Sequence, residues 1–180
     1  MGRTKQLLPL GDRPVIAHAA GSISEAGIRD IVVVTGRGQD AVRACLTQLP
    51  VKFASNDDPA SDMAESIRIG LREIDAASSG VLVCLADHPL VSPETIGIII
   101  HVHEADPARI IIPVHKGKRG HPSLFPSALL QEMFITAGSL RDVITRHPDK
   151  IVLLDVPDEG VVLDMDTEED YQRLTSRYRA

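Results

Sequence analysis

Five short stretches carry residue types suited to chemistry on phosphates. The first is Met1-Gly2-Arg3-Thr4-Lys5-Gln6-Leu7-Leu8-Pro9-Leu10, a loop with a glycine beside an arginine and a lysine. Gly2 lets backbone N–H groups approach an anion closely, and Lys5 would neutralise its charge. A solvated terminus is the plainer reading. The second is Leu85-Ala86-Asp87-His88-Pro89-Leu90, which follows the apolar run Val81-Leu82-Val83-Cys84-Leu85. A carboxylate just past a buried strand is well placed for Mg²⁺, which takes one or two carboxylates and completes its octahedron with water and substrate phosphates. A local turn hydrogen bond is the alternative for Asp87, and His88 reads as structural or substrate-side rather than as a ligand.

The third stretch is Asp164-Met165-Asp166-Thr167-Glu168-Glu169-Asp170. Asp166, Glu168 and Glu169 open a helix, where each favours the macrodipole by about 0.3–1 kcal/mol. Asp164 comes earlier, at the end of an expected strand, and is the candidate to share a metal with Asp87. The fourth is Lys116-Gly117-Lys118-Arg119-Gly120-His121-Pro122. Lys116 and Lys118 read as a solvated hairpin tip. Gly120 and His121 begin an extended segment and are candidates for the wall of a cleft, although a lone histidine is as often structural. The fifth runs from Asn56 to Ser66; Asn56 and Ser66 offer hydrogen bonds to a base or ribose, and Ser61 or Asp62 would cap the helix that follows.

Alternating elements must position these residues. Strands are expected at Ile31 to Val34, Val51 to Ala54, Val81 to Leu85, Ile110 to Ile112, Ile151 to Leu154 and Val161 to Leu163. Helices are expected at Pro14 to Ala26, Gln39 to Gln48, Met63 to Ile74, Pro93 to Glu104, Leu140 to Arg146 and Glu168 to Arg177. Strands buried on both faces read as continuous apolar runs, as these do. The alternation predicts an α/β fold, a doubly wound and mostly parallel sheet between two helical layers. Ligands bind such sheets at the carboxyl ends of the strands, so the loops after Ala54, Leu85 and Leu163 are the places to search.

Composition narrows the classes. The chain has 180 residues, which suits one domain, and only 3% aromatics, so its core must be aliphatic. A net charge of -6 without a basic block argues against nucleic acid. The longest apolar run is far too short for a membrane span. Cys45 and Cys84 have no ligand-like spacing, and Cys84 reads as a buried thiol. A reducing cytoplasm is the expected location.

Taken in order, the five stretches resemble the molybdenum-cofactor nucleotidyltransferase family, in particular its cytidylyltransferase branch. Met1-Gly2-x-x-Lys5-x-Leu7-Leu8-Pro9 matches the end of that family's Gly-rich loop, and Asn56 with Met63-x-x-Ser66 matches its Asn-Pro…Gly-Met-x-x-Ser loop. Asp87-His88-Pro89 matches its Asp-Gln-Pro metal motif, Gly120-His121-Pro122 its Gly-His-Pro loop, and Asp164-Met165-Asp166-Thr167-x-x-Asp170 its closing acidic motif. The family's first strand, the front of its Gly-rich loop and the arginine there are absent, so residues 1–180 are expected to form one such domain truncated at its N-terminus. Asp62 stands where the family has glycine, and His88 where it has glutamine.

The resemblance implies a Rossmann-like nucleotide-diphospho-sugar transferase fold and nucleotidyl transfer. Gly2, Lys5, Asn56 and Ser66 would bind the nucleotide, with Lys5 offsetting triphosphate charge. Asp87 and Asp164 would hold Mg²⁺, and Gly120 and His121 would line the acceptor site. CTP and molybdopterin are the implied substrates, and a molybdenum hydroxylase the implied client. Transfer to another phosphorylated small molecule is a rival, as is a non-catalytic carrier that holds the pterin and docks onto an apo-enzyme.

Overall fold

The computed structural model describes residues 5–37 and 40–178. Gly2 of the expected nucleotide loop lies outside that range. The described chain opens with a 3₁₀ turn, Lys5–Leu7, and a small antiparallel hairpin of β1 (Pro9–Leu10) and β2 (Arg13–Pro14). Gly11 makes the bend at φ +66°, a left-handed conformation that glycine adopts without steric cost. Pro14 then caps α1 (Val15–Glu25), as expected.

β3 (Ile31–Gly36), α2 (Asp40–Cys45) and β4 (Val51–Asn56) follow, and β3 pairs with β4 in parallel. Next come α3 (Met63–Glu73), β5 (Gly80–Val83), α4 (Pro93–Ala105) and β6 (Ile110–His115). Asp62 caps α3 by accepting from the Glu65 N–H, and Ser92 caps α4 by accepting from that of Thr95. The chain then forms β7 (Lys118–Arg119), β8 (Ser123–Pro126) and three short helices, α5 (Ser127–Leu130), α6 (Glu132–Thr136) and α7 (Leu140–Arg146). It ends with β9 (Ile151–Asp155) and α8 (Glu168–Tyr178).

The sheet is mixed. β6 pairs in parallel with β9, while β8 lies between β5 and β6 and runs antiparallel to both. β8 has no place among the sequence expectations, because Ser123-Leu124-Phe125-Pro126 is short and holds two residues that read as turn formers. All four of its residues are buried. Among the described residues no hydrogen-bonded pairing joins β3 to β5, so the pair β3–β4 and the larger sheet are separate ladders.

Side chains alternate across the larger sheet and fix three layers. Ile110, Ile112, Phe125, Val81 and Val83 meet Ala64, Ile67 and Leu71 of α3, Leu130, Met133 and Val143 on one face. On the other face, Ile111 and Leu124 meet Ile99 of α4. A further cluster joins Ile16, Ala17 and Ala20 of α1 to Val33, Val42 and Phe53.

One expected strand is a different element. Val161–Leu163 is not extended sheet; Glu159–Val162 forms a 3₁₀ turn capped by Asp158, which accepts from the Gly160 N–H. The same carboxylate accepts from the Ser92 N–H at 2.9 Å and the Thr95 hydroxyl at 2.8 Å. A β-branched run therefore spends its apolar side chains under a turn, with Val161 fully buried, rather than in a ladder.

Candidate active site

Three segments meet near the end of β5. The turn after β5 is closed by the His88 N–H donating to the Leu85 carbonyl, and it presents Asp87. The 3₁₀ turn before β1 presents Lys5, whose ammonium donates to Asp87 Oδ2 at 3.0 Å and to Asp166 Oδ1 at 2.7 Å. Asp166 comes from the segment entering α8. These partners raise the Lys5 pKa above its usual value: partial burial opposes the shift, while the hydrogen bonds to Asp166 and Asp87 and their charges outweigh it. The second oxygen of Asp87, Oδ1, is buried without a hydrogen-bond partner among the described residues.

The N-terminal turn is held from the C-terminal side. Leu10 and Val15 pack with Leu163, Met165 and Leu174, and the Tyr171 hydroxyl donates to the Pro9 carbonyl. Thr167 caps α8, its hydroxyl accepting from the Asp170 N–H, while the Asp170 carboxylate accepts from the Thr167 N–H. Leu163 and Met165 are buried, which leaves Asp164 and Asp166 on the same outward face. Asp166, rather than the expected Asp164, reaches Lys5 and through it Asp87. Asp164 is exposed and makes no ion pair among the described residues. Alternation along the segment fixed the face, and the placement of Lys5 decided which carboxylate on it meets the ammonium.

The donor set is all oxygen and suits Mg²⁺ or Mn²⁺. Asp87 and Asp166 are close enough to share one ammonium. No cluster of three or more protein ligands exists among the described residues. A hard cation here would complete its shell with water and phosphate oxygens, which is the usual habit of Mg²⁺ at nucleotide sites.

A cavity of about 400 Å³ opens at the carboxyl ends of β3 and β4, lined by Thr35, Gly36, Arg37, Asn56, Asp58 and Ser66 among others. Asn56 Nδ2 donates to the Ser61 hydroxyl at 2.7 Å and the Ser66 hydroxyl at 2.8 Å. Both amide hydrogens are thereby used, and the Asn56 carbonyl oxygen remains an acceptor for a ligand. Sequence spacing brought Asn56 and Ser66 together as expected, and added Ser61 to them.

His121 lies on the same side as Asp87. Its N–H donates to the Val161 carbonyl at 2.8 Å, and the Gly120 N–H donates to that of Pro113 at 2.8 Å. The rings of His121 and His88 meet edge to face with centroids 5.3 Å apart. The Nδ1 atoms of both are buried without partners among the described residues. Burial first, and then the neighbouring His88, push the His121 pKa down, with Asp87 pulling the other way. A small cavity lined by Ser22, Cys84, His88 and His121 lies beside the pair. Cys84 is half-buried, and burial of its thiol pushes its pKa up to about 12. The Lys116-Gly117 tip is an exposed two-residue hairpin, as read, with both residues at positive φ. Among the described residues no helix is long and apolar enough to cross a membrane.

Several known proteins are similar to this chain over most of its length. Nicotine blue oxidoreductase of Paenarthrobacter nicotinovorans is 30% identical over 94% of this chain and 87% of its own. The crystal structure of Rv0371c from Mycobacterium tuberculosis H37Rv superposes with a TM-score of 0.82 at 28% identity, covering 98% of this chain and 90% of that one. A second structure of Rv0371c is a complex with manganese. A nucleotidyl transferase from Methanothermobacter, 22% identical, shares the fold with a TM-score of 0.82 over 97% of this chain and 85% of its own. The model of the MobA-like NTP transferase domain matches residues 1–151. The chain therefore belongs to the MobA-like NTP transferase family and is a nucleotidyltransferase by class.

Proposed function

We propose that this protein is a cytoplasmic cytidylyltransferase that moves CMP from CTP to the phosphate of molybdopterin and releases pyrophosphate, serving a molybdenum hydroxylase. The observation that carries the reading is the Lys5 ammonium held between Asp87 and Asp166, in a chain that also has a cavity of about 400 Å³ at Asn56. An acceptor phosphate oxygen attacks the α-phosphorus; a P–O bond forms there as the bond to the pyrophosphate oxygen breaks. Positioning and charge neutralisation supply most of the rate in such transfers.

In this reading Asn56 and Ser66 orient the nucleoside, and Lys5 offsets the charge of the triphosphate. Gly120 and His121 form the acceptor wall. Asp87 and Asp166 would hold Mg²⁺ or Mn²⁺, which when bound neutralises the α-phosphate. Asp164 is kept as a candidate ligand from the sequence motif. A manganese complex of a 27%-identical relative supports a divalent cation in the family without selecting Mg²⁺.

The decisive experiment measures pyrophosphate release from CTP, GTP and ATP with molybdopterin and with a panel of sugar and polyol phosphates. CTP with molybdopterin should be fastest. Turnover of CTP with another acceptor only would replace the acceptor, and binding of the pterin without turnover would favour a carrier. A second reading follows from the full-length relative whose name is an oxidoreductase. Oxidation of a reduced nicotinamide by the chain, with no pyrophosphate release, would favour it.

A further inference from the structure

Lys5 sits where a cation is expected. Its ammonium contacts one oxygen of Asp87 and one of Asp166, at 3.0 and 2.7 Å, and these are the carboxylates assigned to the metal. Both distances suit a charge-assisted hydrogen bond. The pair carries two negative charges and the ammonium returns one. A divalent cation entering alone would meet a half-neutralised site and would have to compete for oxygens that already have a partner. A cation entering on a triphosphate brings new anionic oxygens that can receive the lysine.

We propose that Lys5 and the divalent cation are alternative occupants of the Asp87–Asp166 pair, so that the cation binds tightly only with a nucleotide whose phosphates take the ammonium. Lys5 then has two successive roles. Without nucleotide it holds the two carboxylates together, tying the turn after β5 to the entry of α8. With nucleotide it swings to the triphosphate and leaves both carboxylates to the metal. The Lys5 side chain is 29% exposed and that of Asp166 66%, so the swing needs no opening of the core. The exchange rests on Asp87 holding the cation, as proposed above.

The test is Mn²⁺ binding to the full chain without nucleotide, read from the electron paramagnetic resonance signal of free Mn²⁺. Lys5→Met should bind Mn²⁺ about tenfold more tightly than the wild type, since two part-exposed ion pairs compete for the site. Lys5→Arg keeps the charge and should stay within about threefold of the wild type on the same grounds. Asp87→Asn added to Lys5→Met should abolish the gain. CTP should tighten Mn²⁺ binding in the wild type and do so much less in Lys5→Met. Equal or weaker Mn²⁺ affinity in Lys5→Met overturns the exchange, as does tightening of the same size in Lys5→Arg. Tightening in Lys5→Met with no nucleotide turnover by the wild type leaves the exchange standing and removes the proposed transferase reaction instead.

Discussion

Gly160 lies against the Leu90 carbonyl so closely that a Cβ on it would come within 2.3 Å of that oxygen. One residue later, the Val161 carbonyl accepts from His121 and would come within 2.2 Å of a Cβ on Gly120. The 3₁₀ turn over Glu159–Val162 is thus a wedge between the loop that carries Asp87 and the loop that carries His121. Neither neighbour can yield cheaply, because both are backbone. Gly160→Ala and Gly120→Ala should each destabilise the protein by about 1–3 kcal/mol. Gly97 in α4 has open space around its Cβ position, and Gly97→Ala should stabilise by about 0.5–1 kcal/mol. Urea unfolding midpoints at constant slope check all three.

Asp166 and Asp164 differ by two residues and by one contact. Asp166→Asn should lower kcat/KM for CTP by on the order of 100-fold, the size typical of losing one charge-stabilising group at a transition state. Asp164→Asn should cost less than about threefold, since Asp164 makes no ion pair with Lys5 among the described residues. Equal losses in the two variants would return Asp164 to the site.

His103 gives the fold a calculable acid weakness. It is buried, bonds Ser79 through Nε2 at 3.0 Å, and leaves Nδ1 without a partner among the described residues. Burial pushes its pKa below the ordinary 6.5, against a smaller upward pull from Glu104. The unfolded chain then binds a proton at a pH where the folded chain does not. The stability this gives is complete above pH 6.5 and is lost as pH falls through the lower, folded-state value. His121 shifts the same way and adds to the slope. Melting temperatures should fall as pH drops below about 6.5, and His103→Gln should flatten that dependence.

Asn56 spends both amide hydrogens on Ser61 and Ser66. Asn56→Ala should weaken nucleotide binding by roughly tenfold, the value of about one good hydrogen bond, and leave kcat nearly unchanged. Isothermal titration with CTP and steady-state kinetics separate the two effects.

Phe125 is the largest fully buried side chain and stands on β8, between β5 and β6. Phe125→Ala should cost about 3–5 kcal/mol by transfer and cavity terms together. Thermal unfolding of the full chain measures it.

By itself the sequence determined the layer order and the chemical vocabulary of the site. Most of the apolar runs became strands, and Asp87 and Asn56 fall at or just past the ends of two of them, although Ile151–Asp155 pairs on one side only among the described residues and leaves Leu153 exposed. Local pattern could not reveal β8, because a four-residue strand bounded by Ser123 and Pro126 gains its identity from the neighbours that hydrogen-bond it. Nor could it separate Val161-Val162-Leu163 from a strand, since β-branched residues fill a buried turn as readily as a ladder. The choice of Asp166 over Asp164 was likewise tertiary. Both carboxylates sit on one face by alternation, and the one that meets the Lys5 ammonium is set by where that ammonium arrives from the far end of the chain. Short-range periodicity fixes which way a side chain faces, whereas contacts across some 160 residues fix what it meets.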